Sequence, residues 1–240
     1  MDNSLYYLAV NRQVGLAAEL DMIANNIANL DTTGFRREGV AFTEFVVSAE
    51  VGESVSMADL GARFASEAPG VLTMTGGRLD VAIEGDGYFL LDSPEGRVLT
   101  RAGSFLTSQD GFLVTPVGDQ VLDIGEAPIT IPPDAVDVVI GPDGTISANG
   151  EPLAQIAVMN APRELISRFG DTAFQVEGDA YEPVAAPKVR QGALEQSNVD
   201  AILEIARMIE VTRAYESAQS LIEDEDERIN STIQTLGRNA

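Results

Sequence analysis

The last forty or so residues restrict the fold more than any other stretch of the chain. Met208, Val211, Tyr215, Ala218, Ile222, Glu225, Ile229, Thr232 and Leu236 recur at alternating spacings of three and four, with Glu225 the one charged intruder. That is a helical seam sustained over four heptads. Asn198 or Asp200 can cap its start, and Gly237 stands just past the last seam position. The pattern therefore predicts one helix of nearly forty residues, about 55 to 60 Å long. A rod of that length must bury its seam against another helix. The nearest candidate runs from Asn3 to Leu30, where Leu16, Leu20, Ile23, Ile27 and Leu30 are spaced four, three, four and three apart. Backwards from Leu16 that seam meets Gln13, Ala9 and Tyr6, so it weakens without breaking. Neighbouring subunits are the next candidates for the exposed apolar face.

Between these segments the grammar is that of strands and tight turns. In "LDVAIEGDGYFLL", Leu79, Val81 and Ile83 alternate with Asp80, Ala82 and Glu84, then Gly85-Asp86-Gly87 turns into the apolar run Tyr88 to Leu91. Further turn signals stand at "SPEG" (93–96), Asp110-Gly111, Asp143-Gly144 and Asn149-Gly150, each flanked by apolar runs. Seven to ten short strands are expected, with helical periodicity confined to about one turn at "PRELISRF". The reading is an α+β chain. Residues 1–36 and 197–240 form long N- and C-terminal helices paired as a coiled-coil-like α domain. Residues 37–70 are an extended connector, and 71–196 a central antiparallel all-β domain of sandwich or barrel type.

Composition removes whole classes of function. Fifteen basic residues against thirty-eight acidic ones give a net charge of −23, and residues 37–194 carry nine basic and twenty-four acidic of these. Nucleic acid is a poor partner for such a surface, and so is an anionic membrane. The acidic middle is most simply a solvated outer face. There is no Cys and no His. Ser-His-Asp and Cys-His catalysis, H-E-x-x-H metal sites and thiolate ligands are excluded with them. An enzyme would have to use carboxylates, Tyr, Arg or Lys188. The N-terminus has no basic head followed by an apolar core, and no run approaches the length of a membrane span. Export, if it occurs, would follow a route that reads no such signal.

The residual catalytic candidates are weak. Asp31-Thr32-Thr33-Gly34 has one Thr too many for the Asp-Thr-Gly loop of an aspartic protease, and no second loop matches it. Asp86 and Asp143 sit in glycine-flanked turns without the spaced oxygen ligands of a calcium loop. Glu223 to Glu227, "EDEDE", reads as a wet helix face. No pair of carboxylates is distinguished for glycoside hydrolysis. No catalytic residue, metal ligand or cofactor is assigned, and a subunit of an assembly is favoured over a secreted carbohydrate-active enzyme.

At the end of the first helical segment, "ANNIANLDTTGFRR" places Asn25, Asn26 and Asn29 among apolar residues. Simple C-capping accounts for Gly34 and Asn29 but not for Asn25 and Asn26, which read as a polar junction able to bond neighbouring helices. This stretch resembles the N-terminal signature of the flagellar rod and hook proteins, through Ala24, Asn25, Asn26, Ile27, Ala28, Asn29, Thr32 or Thr33, Gly34, Phe35 and Arg36. "GRLDVAIEGDGYFLLDSPEGRVLTRAGSF" and "LEQSNVDAILEIARMIEVTRAYESAQSLI" are similar to the family's central and C-terminal segments. Within the family the chain looks most like a proximal rod subunit, with a distal rod or hook-type axial subunit as the alternative. The resemblance implies export through the flagellar apparatus without a cleaved signal. It further implies polymerisation with copies of itself and other rod proteins into a periplasmic, hollow, torque-bearing shaft around the export channel, with no membrane insertion. The implied assembly residues are Leu16, Leu20, Ile23, Asn25, Asn26, Ile27, Asn29, Leu30, Gly34 and Phe35, together with Met208, Val211, Tyr215, Ala218, Ile222, Ile229 and Leu236.

Overall fold

The computed structural model describes residues 4–48 and 54–238; the side chains of 4–8, 41–63, 229, 232–233 and 235–238 lie outside that description. The chain divides into two units, one of residues 1–28, 38–64 and 200–240 and the other of 29–37 and 65–199, so it passes between them four times.

The first unit contains helix α1 (Ser4–Ala28), a pair of long strands β1 (Glu38–Ser48) and β2 (Ser54–Ala65), and helix α2 (Ala201–Arg238). Asp200 caps α2, its Oδ1 accepting from the amides of Ile202 at 2.9 Å and Leu203 at 3.2 Å, so two of the four orphan donors of the first turn are satisfied. The helix runs 38 residues, through Gly237 to Arg238. Residues 38–48 and 54–65, read from the sequence as part of an extended connector, are paired strands. The helices lie antiparallel, because Gln13 bonds Gln219 while Asn26 bonds Glu204.

The structure corrects the expected coiled-coil-like α domain: among its described residues this unit has two helices beside a strand pair, and no coiled coil. A coiled coil buries a narrow stripe of alternating a and d positions. On α1 the fully buried apolar side chains are instead the adjacent Met22 and Ile23, with Glu19 and Asn26 buried on the same face. Leu16, Leu20 and Ile27 are pushed to the flanks and only partly buried, and Val40 of β1 packs on the same cluster. Two successive buried positions lie 100° apart around a helix, which makes a broad face of globular type. The strand pair therefore covers surface that a second seam would have taken.

The second unit is built from short strands, sixteen among the described residues, many of them two or three residues long. Every strand pairing recorded within it is antiparallel. Its first four strands are β3 (Leu72–Met74), β4 (Val81–Ile83), β5 (Tyr88–Ser93) and β6 (Gly96–Thr100). The all-apolar start of β5 has a physical reason: Phe89 and Leu91 enter one core cluster with Val81, Phe105 and Ile146, while Leu90 enters another with Leu99, Met159 and Phe174. A strand buried on both faces loses alternation. β5 and β6 join through the two-residue turn Pro94-Glu95, with Ser93 paired to Gly96. Asn149 and Gly150, both at positive φ, turn strand 145–148 into strand 151–155, as a hairpin of mirror-image type requires. "PRELISRF" gives one 3-10 turn, Arg163–Leu165, followed by a strand.

Candidate assembly surface and buried ionic junction

The residues singled out in the sequence fall into two groups. Leu16, Leu20, Ile23, Ile27, Met208 and Val211 meet in one apolar cluster of the helical unit. Ala218 is buried there too, and Tyr215 and Ile222 are half-buried. The side chains of Ile229 and Leu236 lie outside the described residues. Asn29, Leu30, Gly34 and Phe35 belong to the β unit.

The amides divide their work. Asn25 is exposed. Asn26 is fully buried, and its side chain pairs with the backbone of Glu38 in both directions: Nδ2 donates to the carbonyl at 3.1 Å and Oδ1 accepts from the amide at 2.8 Å. A primary amide presents the same donor and acceptor as a peptide group, so Asn26 gives the first residue of β1 a ladder partner borrowed from a helix. Its Nδ2 also lies 3.4 Å from Glu204 Oε2. Two turns back, Glu19 Oε1 accepts from Arg207 Nη2 at 2.7 Å and Nε at 2.8 Å. Each pair sets a buried group, Asn26 or Glu19, against one residue of the other helix, and so favours one register between them. Glu19, Met22, Glu38, Glu204 and Arg207 were not foreseen; the seven-residue spacing of Glu204, Val211 and Ala218 was the available signal, obscured because a glutamate opens it.

The helical unit also exposes apolar side chains. Ile202, Ile205 and Ile209 are 79%, 49% and 49% exposed. At 100° per residue they share one side of α2, roughly opposite Glu204, Val211 and Ala218. Leu203, Leu221 and Val14 are also exposed.

In the β unit a buried ionic junction forms around Glu195, itself 2% exposed. Its Oε1 accepts from Arg36 Nη2 at 2.8 Å and from the Gly70 amide at 3.0 Å, and its Oε2 lies 3.3 Å from Arg101 Nη1. Burial holds the Arg101 guanidinium below its ordinary pKa; Glu195 opposes that shift and Arg36 adds to it. Arg36 Nη1 donates to the carbonyl of Glu67 at 2.8 Å and to that of Ala68, while Arg101 Nη2 donates to Gly85 O at 2.7 Å. The Glu195 carbonyl takes the Gly34 amide at 2.7 Å. Gly34 has φ +72°, and a Cβ there would press into the backbone of Arg101 and Ala102, so both conformation and space demand glycine. Phe35 is buried beneath the Arg168 guanidinium, 4.6 Å from its ring centroid, a cation–π distance. Asn198 caps no helix: its Oδ1 accepts from the Arg37 amide at 2.6 Å and its Nδ2 donates to Ala68 O at 2.7 Å.

Among the described residues no helix is long and apolar enough to cross a membrane. Residues 7–36 match the family described as flagella basal body rod protein, 82–148 the flagellar hook protein FlgE/F/G D1 domain, and 190–235 the flagellar basal body rod FlgEFG protein C-terminal segment. The chain is 39% identical to the flagellar basal-body rod protein FlgF of Mesorhizobium japonicum, covering 99% of both chains. It is 36% identical to FlgF of Rhizobium meliloti, covering 96% of this chain and 97% of that one. With the rod protein FlgG of Bacillus subtilis it shares 30% identity, over 95% and 97% of the two chains. Signature matches at both ends and in the middle, with full-length identity higher toward the FlgF chains than toward this FlgG, make the chain a member of the flagellar basal-body rod protein family, of FlgF-like type.

Proposed function

We propose that this rod subunit polymerises through its terminal helices, with copies of itself and with other rod proteins. The polymer is the hollow axial shaft that transmits torque and surrounds the export channel. The chain is a structural rod protein and not an enzyme, as its family membership states. In this reading residues 1–36 and 197–240 serve the interior of the shaft and residues 71–196 its outward, acidic face. The subunit reaches the periplasmic rod through the flagellar export apparatus without a cleaved signal. The observation that supports it is the row Ile202, Ile205 and Ile209, which stands exposed on α2 away from the face packed against α1. Apolar side chains grouped on one helical face mark a surface for another molecule.

The double substitution Ile205→Glu with Ile209→Glu tests it. Exposed positions of this kind shift stability by no more than about 0.5 kcal/mol, so the purified variant keeps its far-UV circular dichroism and its melting temperature. In cells it is absent from isolated basal bodies and motility is lost. Normal incorporation of a folded variant would overturn the reading.

A further inference from the structure

The ionic junction joins parts of the chain that are distant in sequence. Glu195 reaches Arg36, Gly70 and Arg101 with one carboxylate, and Gly34 with its carbonyl. Arg36 carries the bonding on to Glu67 and Ala68, and Asn198 adds Arg37 and Ala68. The three stretches so fastened, 33–37, 67–70 and 195–198, lie within a few residues of the places where the chain leaves or enters the β unit, at 37/38, 64/65 and 199/200. None of them is held by long ladders: beyond the short β3, they rest on single bonds, several of which converge on Glu195 and Asn198, while the Arg37 carbonyl also takes the Ser66 amide and the Arg36 carbonyl the Arg168 guanidinium. Arg36, Arg101 and Glu195 are buried, so a lost partner is not replaced by water, and the Nε atoms of Arg36 and Arg101 already have no hydrogen-bond partner among the described residues.

We propose that Glu195 is a latch: one buried carboxylate, shared between Arg36, Arg101 and the Gly70 amide, seats these stretches on the β unit together and releases them together when it is removed. Sharing is what makes the release joint. A carboxylate accepts on both oxygens; an amide in its place turns one end into a donor facing a guanidinium, and the arms on both oxygens shift with it. The β5–β6 core, whose ladders and packing do not involve Glu195, stays closed. The device belongs to the isolated subunit, so its test needs no assembled rod and is separable from the reading above.

Hydrogen exchange of the full-length chain, followed by mass spectrometry, compares wild type with Glu195→Gln. Amides in 33–37 and 67–70 exchange at least about tenfold faster in the variant, the change expected for local opening made easier by one decade. Those of Tyr88–Thr100 keep their rates. Unchanged exchange in either of the first two stretches overturns the latch. An equal acceleration across Tyr88–Thr100 overturns it as well, since the carboxylate would then act on the whole unit. If Glu195→Gln yields no folded protein, Arg36→Lys is read by the same criteria, because a lysine keeps the charge but cannot span Glu195, Glu67 and Ala68 at once.

Discussion

The two units solve the same problem with opposite means. The β unit buries two large apolar clusters, containing Phe89, Phe105, Leu90, Leu99 and Phe174, and sets its charged junction at their edge, where Arg101 lies over the Tyr88 ring. The helical unit has a small cluster around Met22, Ile23 and Val211, and places Glu19, Asn26 and Glu204 directly within the packed face. Apolar burial rewards any close packing, whereas a buried amide or carboxylate tolerates only one arrangement. The β unit is thus held by quantity of contact and the helical unit by specified pairs.

Phe89→Ala is the sharpest way to break that contrast. Removing a fully buried aromatic costs about 3 to 5 kcal/mol, and Phe89 also loses its edge-to-face partner Phe105, 5.3 Å away between centroids. Denaturant unfolding followed by exchange in Tyr88–Thr100 reads the loss; a cost below about 1 kcal/mol would mean that the β unit does not rest on its apolar core. Asn26→Ala comes next. It leaves the Glu38 amide and carbonyl without their side-chain partner, at a cost of about 1 to 3 kcal/mol for buried groups. Thermal melting of helix ellipticity measures it, and Asn25→Ala, at the exposed neighbour, is the control with little change. The smallest effect is a pH dependence on α2. Arg228 bonds both oxygens of Glu225 and holds its pKa below the ordinary carboxylate value. A depressed carboxylate stabilises the folded state above its unfolded pKa, and that contribution disappears as pH falls through the folded one. Helicity near Glu225 therefore declines slightly on acidification, and in Glu225→Gln that dependence is gone.

Much of the architecture was legible because it follows from periods and turn chemistry. Thirty-eight residues of α2 and the turns at Pro94-Glu95 and Asn149-Gly150 come from patterns a few residues wide. What escaped depends on rotation and on distance. A seam read from leucines gives no sign of how far a helix turns about its own axis, and α1 turns so that Met22 enters while Leu20 moves aside. The paired strands of 11 and 12 residues lie in a polar, turn-rich stretch of weak periodicity, and their pairing is not written in any local period. Glu195 and Arg36 are 159 positions apart and look like surface charges. Only proximity makes them an ion pair. Asn26 was expected to bond neighbouring helices; it reaches Glu204 of α2 and, in addition, the backbone of Glu38, and the exposed isoleucines of α2 lie off the seam altogether.

The passages of the chain between its units make the nine residues 29–37 a loop of cord with both ends tied to one post: they leave the helical unit after Ala28 and re-enter it at Glu38, where Asn26 grips the backbone. A cord tied at both ends has fewer ways to wander than one tied at a single end, so its residues give up less freedom when they are seated.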